Sequence, residues 1–284
     1  MEVPVPRLTG RLASACLSLV LLVPVATSRA EVAPSEVAQL KYDVYVGGLH
    51  IYTLAVDMVL QSGRYRLSAR GETQGVVGMV YTWDTDLTAD GVDRDGRVEA
   101  QRYLSRTQWQ SRGRTVTLGF GANGRYTLRQ DPPPEPDPDI EGALPTSLPN
   151  GVVDPLSFAI AAARALAKTG RCDQTVPVFD GQRRFNVIVT NIGPATLQPS
   201  CYSIYQGPAM RCGLGIERIS GFRKSLRAKR EQEERSTPPT IWVAQIKPEL
   251  PPIPVRYDGE IGLGKIVVHL TDAAFRIESA AAPN

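Results

Sequence analysis

Histidine is scarce in this chain: of 284 residues only His50 and His269 are histidines, both in strand-like runs and more than two hundred positions apart. Neither belongs to an HExxH motif or any other clustered ligand set, so a zinc hydrolase has no support, and a lone strand histidine reads as a packed or surface residue rather than a base or ligand. The GxSxG pentapeptide of a nucleophile elbow is missing as well, which removes serine hydrolysis of that kind. None of the 4 cysteines lies in a CxxC pair, which argues against a thioredoxin-like redox motif and a zinc ribbon. Acids in the strand-like runs stand singly beside glycines, as Asp90, Asp95, Asp180 and Asp258 do, where a carboxylate bonds its own backbone rather than forming an acid and base pair. With no catalytic constellation, the expectation is a protein that is not an enzyme and uses no cofactor or metal.

A long apolar run is also lacking. "LASACLSLVLLVPVA" spans about 15 residues, short of the ~20 that a membrane-crossing helix needs. Preceded by Arg7 and Arg11 and followed by "TSRA", it has the layout of a secretory signal peptide over residues 1–30, with Ser28 and Ala30 before the cut. Lipidation at Cys16 is set aside, because most of the apolar segment follows that cysteine. The expected mature chain, 31–284, is a single β-rich exported domain, periplasmic and not membrane-spanning. Losing Arg7, Arg11, Arg29 and Glu2 lowers the formal charge from +3 to +1, too little for nucleic acid to be a partner. Three cysteines remain, Cys172, Cys201 and Cys212, which in an oxidising compartment suggests one disulfide and one spare thiol.

What the chain does have is alternation. In "YTLAVDMVL" Tyr52, Leu54, Val56, Met58 and Leu60 share one face, and short runs of this kind, separated by turn pairs, fill 39–130 as an antiparallel meander. The pairs are Gly47-Gly48, Asp90-Gly91, Asp95-Gly96 and Asn123-Gly124, with Asp258-Gly259 later; such pairs tolerate positive φ. Further strands are expected at about 174–180, 183–191, 197–206, 208–218, 239–246, 252–257 and 261–271.

Two segments break the pattern before the later strands. Proline is too dense at 131–151 for strand or helix, so this is an extended connection. "DPLSFAIAAARALAKTG" follows and predicts a helix: Asp154 caps, Pro155 suits the first turn, Lys168 sits in the last and Gly170 closes. Leu156, Ala159, Ile160, Ala163 and Ala167, with Leu166 at its edge, make a stripe at helical spacing that should lie on the sheet. Phe158 falls off that stripe and needs another apolar neighbour. The segment 222–237, rich in Arg, Lys and Glu, reads as a solvated charged loop.

Two stretches invite a site reading. "GEIGLGKI" keeps the glycine and lysine spacing of a phosphate loop, yet Ile266 stands where Ser or Thr would hold magnesium, and a strand follows where a helix is required. In "VPVFDGQRRFNVIV", Asp180 with Arg183 and Arg184 looks like an acid with anion binders. A four-residue loop, 180–183, places Val178 opposite Phe185 and Val176 opposite Val187, keeping one apolar face intact, so a hairpin is preferred, with both arginines largely toward solvent.

In order along the chain, "VDPLSFAIAAARAL", "CDQTVPVFDGQRRFNV", "YQGPAMRCGLGIERISGFR" and "IWVAQ…IPVRYDGEIG" resemble exported bacterial proteins grouped as domain of unknown function 3108, and "YDVYVGGLHIYTLAVDMVL" is similar to that family's first strands. The resemblance covers nearly all of 39–272. It implies an all-β domain with one main helix, a curved antiparallel sheet or open β-barrel with the helix packed against it, and no established activity. It also implies a disulfide between Cys172 and Cys212, closing a loop of about 41 residues, for which loop entropy gives about 4 kcal/mol. The rival, Cys201 with Cys212, would follow if 206–208 were a hairpin turn.

Curved sheets closed by a helix are an architecture that can hold acyl chains, which is analogy rather than inheritance of function. The first functional expectation is therefore a non-enzymatic binding or carrier protein whose partner is a lipid or other amphipathic envelope molecule. Candidate ligand-lining residues are Met79, Tyr81 and Trp83 on a strand and Leu156, Ile160 and Ala163 on the helix; taken singly, each also fits plain core packing. The alternative is a structural or interaction component of the cell envelope, docking an envelope protein through free strand edges or the charged loop.

Overall fold

The computed structural model describes residues 1, 34–226 and 237–278; the rest of the expected signal peptide and the centre of the charged segment lie outside the described residues. The elements are β1 (Ser35–Val46), β2 (Leu49–Gln61), β3 (Arg64–Thr73), α1 (Gly75–Val80), β4 (Trp83–Arg94), β5 (Arg97–Trp109), β6 (Arg112–Phe120), β7 (Tyr126–Asp131), β8 (Ile140–Glu141), α2 (Pro155–Thr169), β9 (Gln174–Phe179), β10 (Arg184–Leu197), β11 (Gly207–Ser220), β12 (Phe222–Arg223), β13 (Thr240–Ala244), β14 (Ile253–Ile261) and β15 (Gly264–Glu278). Among the described residues, 13 strands form one antiparallel sheet in the order β7-β6-β5-β4-β3-β2-β1-β15-β14-β13-β11-β10-β9. β8 and β12 pair separately, so the Pro-rich connection and the start of the charged segment dock on each other, with Asp139 accepting hydrogen bonds from Ser225.

The sheet is an open barrel: its two edge strands, β7 and β9, meet through side chains instead of a backbone ladder. Phe179 of β9 is fully buried in a cluster with Ala89, Tyr103 and Leu118 from β4, β5 and β6, and its ring lies 5.2 Å from that of Tyr126 on β7. Gln130 donates to the carbonyl of Gly181 across the same seam at 2.7 Å. The connection after β7 fills the remaining gap, with Leu148 bonding Gly124 and Val153 bonding both Pro177 and Phe179 along the free side of β9. That bridge occupies part of an edge that would otherwise be open to another chain.

Local chemistry explains most of the turns. Asp95-Gly96 and Asn123-Gly124 take the two successive positive φ values of a tight hairpin. Ser62-Gly63 does the same without an Asn or Asp to advertise it. Asp90-Gly91 and Asp258-Gly259, expected as turns, instead lie inside β4 and β14. Their glycines serve close approach: a Cβ on Gly91 would collide with the Tyr65 phenol and the Glu99 carbonyl, and one on Gly259 with the Tyr257 ring.

Three further expectations are corrected. Met79 and Tyr81 are not on a strand, because Gly75 at φ +60 turns the chain out of β3 and the unalternating "VVGMV" winds into α1, which Tyr81 ends before β4 begins at Trp83. Residues 198–206 form a connection, not a strand, since β10 runs to Leu197 and pairs directly with β11 from Gly207. The connection is held by Ile204 and Ser203 donating to Leu270 O. Arg184 is buried rather than solvent-facing; its guanidinium folds back onto the carbonyl of Phe185, which meets part of its donor capacity locally. The hairpin register matches the four-residue loop, with Phe185 opposite Val178 and Val187 opposite Val176.

Candidate functional site

Helix α2 lies inside the curve of the sheet, and its position is fixed at both ends. Asp154 caps it, Oδ1 accepting from Leu156 N and Ser157 N at 2.9 Å each, and Gly170 ends it at φ +68 with its amide bonded to Leu166 O. Asp154 and Ser157 are both fully buried; the Ser157 hydroxyl donates to Asp154 and accepts from Tyr65 of β3 at 2.7 Å. Burial pushes the Asp154 carboxyl up to about 6, with the Ser157 and Leu156 hydrogen bonds opposing that rise. Further along, Arg164 pairs with Asp93 of β4 at 2.6 Å.

Because the sheet wraps it, α2 buries a face different from the stripe expected for a helix lying on a flat sheet. Ser157, Ile160, Ala163 and Leu166 are buried, while Ala159 and Ala167 are exposed. The arc is centred where β3 and β4 grip the helix through Ser157 and Arg164, and the flank carrying Phe158 and Ala162 is left facing the second half of the sheet.

On that flank an apolar groove opens. Phe158, Ala162 and Leu166 form one wall, and Val189 of β10, Leu214 of β11, Ile241 and Val243 of β13 and Pro254 of β14 form the other; the empty volume is about 500 Å³, part of it open to solvent. The groove exists because the helix presents alanines where it faces β13 and β14, and a methyl group is too short to reach across. Among the described residues Gln174 is the one polar side chain of the lining, and its amide is turned onto the carbonyl of Ala162 at 3.4 Å. Among the described residues no charged group lines the groove, so its walls suit an apolar chain or ring. At one end sits the Cys172–Cys212 disulfide, Cα–Cα 5.8 Å, which ties the segment after α2 to β11. Cys201 is exposed in the 198–206 connection; with that segment not a strand, the register puts Asn191 opposite Cys212.

The candidate lining residues divide among four places. Ala163 lines the groove. Ile160 is buried in the main core and Leu156 packs between the two core clusters. Met79 is exposed on α1, and Tyr81 and Trp83 stand at the rim of a separate cleft at the mouth of the barrel. Sequence reasoning passed over Phe158, Ala162 and the β13 and β14 residues. The legible signal was Phe158 itself, a large apolar side chain off the packing stripe with no assigned neighbour.

The histidines do not assemble a relay. His50 Nε2 lies 3.4 Å from Asp43 Oδ1 and 3.2 Å from Thr53 Oγ1, and Thr53 donates to the same Asp43 oxygen at 3.0 Å. A relay needs one imidazole nitrogen on the acid and the other on the nucleophile, and here the same nitrogen faces both. His269 is buried, stacked on Tyr202 with ring centroids 5.8 Å apart, and burial with Arg256 nearby holds its pKa below the usual histidine range. Among the described residues no group of three or more His, Cys, Asp or Glu side chains could hold a metal.

No curated protein matches the sequence. A solved structure, described as the crystal structure of a beta-barrel-like protein of domain of unknown function DUF1849 from Brucella abortus, is similar to this chain with a TM-score of 0.47 and 12% identity, covering 87% of this chain and 99% of its own. The family model described as protein of unknown function (DUF3108) matches residues 41–271, and the chain belongs to that family.

Proposed function

We propose that this protein is a non-enzymatic, periplasmic binding or carrier protein for an amphipathic, lipid-like molecule of the cell envelope, whose apolar portion lies in the groove beside α2. The groove carries this reading: within its roughly 500 Å³ the cavity proper is about 80 Å³, its walls are apolar side chains, and an apolar guest displaces water from them and recovers contacts that the alanines of α2 do not make. The disulfide beside it fits an oxidising compartment, and among the described residues no helix is long and apolar enough to cross a membrane. Protein purified without detergent, analysed by native mass spectrometry and by organic extraction, should carry a stoichiometric apolar adduct that extraction identifies. Repeated adduct-free preparations that also fail to take up added lipid would overturn the reading.

A further inference from the structure

The hairpin read from sequence as a turn forms one wall of a second cleft, at the end of the barrel where α2 begins. This cleft has a cavity volume of about 570 Å³ and, among the described residues, shares no lining residue with the apolar groove. Its rim is aromatic. Trp83 and Trp109 are direct cross-strand partners on β4 and β5, 46% and 52% exposed, and the Tyr81 ring lies 5.8 Å from Trp109. The Trp83 ring also lies 5.5 Å from that of Tyr52, and the half-exposed indoles leave apolar ring area in water. Below the rim hydroxyls alternate with apolar side chains: Thr85, bonded to the Tyr52 phenol at 2.6 Å, lies opposite Thr107, and Ser105 lies opposite Leu87, with Tyr103 and Val116 also in the lining.

Charge in the cleft is unbalanced. Arg183 is paired with Asp180 at 2.8 Å, and Asp180 also accepts from the backbone of Gln182 and Arg183, so that carboxylate is occupied. Arg114, the cross-strand neighbour of Thr107, donates to the Gln130 amide oxygen, and its buried Nε has no hydrogen-bond partner among the described residues. Two arginines face one acid, and the arginine nearer the indoles is short of acceptors.

We propose that this cleft binds an acidic saccharide: a sugar ring lying on Trp83 and Trp109, its hydroxyls meeting Thr85, Ser105 and Thr107, and its carboxylate or phosphate meeting Arg114. Each part of the wall selects one part of that ligand. The indole faces take the apolar C–H face of a ring, the hydroxyls exchange hydrogen bonds with a polyol, and the planar guanidinium matches a carboxylate or phosphate with two parallel donors. The site goes beyond the carrier reading and does not depend on the groove being filled.

Two of the 3 tryptophans of the chain are in this cleft, so intrinsic fluorescence reports on it; Trp242 sits elsewhere, under Arg211 and bonded to Asp258. Titration of the full chain with trigalacturonate or a glucose monophosphate should give a saturable emission change that persists in Trp242→Phe, with neutral maltotriose binding at least about tenfold more weakly. Arg114→Gln should weaken the acidic ligand by about tenfold, the scale of one charge-assisted hydrogen bond. Trp109→Ala, at the exposed end of a hairpin, should abolish the response while circular dichroism is unchanged, which keeps the test intact if Arg114→Gln fails to fold. Silence with both acidic saccharides, equal binding of maltotriose, unaltered binding by folded Arg114→Gln or Trp109→Ala, or a response confined to phosphatidylglycerol vesicles would each overturn the proposal.

Discussion

Asp154→Asn perturbs the point at which α2 is anchored, and its effect on stability should depend on pH in a direction the structure fixes. The folded carboxyl is raised from 3.8 to about 6 by burial, so between those values the folded chain holds a proton that the unfolded chain has released. Stability from this group is therefore fully present below the unfolded value and falls as pH rises toward 6. A rise of about two units corresponds to about 3 kcal/mol at 1.36 kcal/mol per unit. Asparagine caps about as well as aspartate and does not titrate, so the variant keeps the Leu156 and Ser157 amide bonds and loses the slope. Urea unfolding of both proteins from pH 4 to pH 7, followed by circular dichroism, isolates this term, because the other carboxylates are common to both. The variant should gain on the wild type by up to about 3 kcal/mol as pH rises across the window. Parallel curves, or a wild type that gains instead, would refute the reasoning that burial outweighs the capping hydrogen bonds.

Replacing Cys172 and Cys212 together by alanine should lower the unfolding free energy by about 4 kcal/mol, measured by denaturant titration, with the loss reproduced by reducing the wild type. Gly181→Ala should cost about 2 kcal/mol or more in the same assay, since Gly181 sits at φ +89 and its new Cβ would lie 2.6 Å from Val116 Cγ1 across the seam of the barrel. A neutral result would mean that the seam is looser than the Phe179 cluster implies.

Features written in local chemistry were legible in the sequence. The alternation of β2, the Asp154 cap and the Gly170 stop follow from neighbouring residues, and keeping Val176, Val178, Phe185 and Val187 on one face was enough to choose the hairpin register. What was not legible depends on partners far along the chain. Gly91 looks like a turn glycine until Tyr65 is seen passing over it to reach Ser157. The buried face of α2 differs from a flat-sheet stripe because β3 and β4 curl around it. The groove was hidden for a different reason: it is made by what its residues lack, alanine methyls opposite β13 and β14, whereas a search for large apolar residues points to Ile160, which fills the core, and to Trp83, which serves the other cleft. Arg114 gave no signal, because its shortage of acceptors arises only from the seam that places it beside Gln130 and the hairpin.

The carrier account rests on the groove, and Ala162→Trp tests it most directly, because Ala162 faces the groove and an indole there fills the space while the Asp154 anchor and the disulfide stay in place. Binding of an anthroyloxy-labelled fatty acid, followed by its fluorescence, should be saturable with the delipidated wild type and lost with Ala162→Trp, the two proteins having the same circular dichroism. Equal binding by the two proteins, or none by the wild type, would contradict the account.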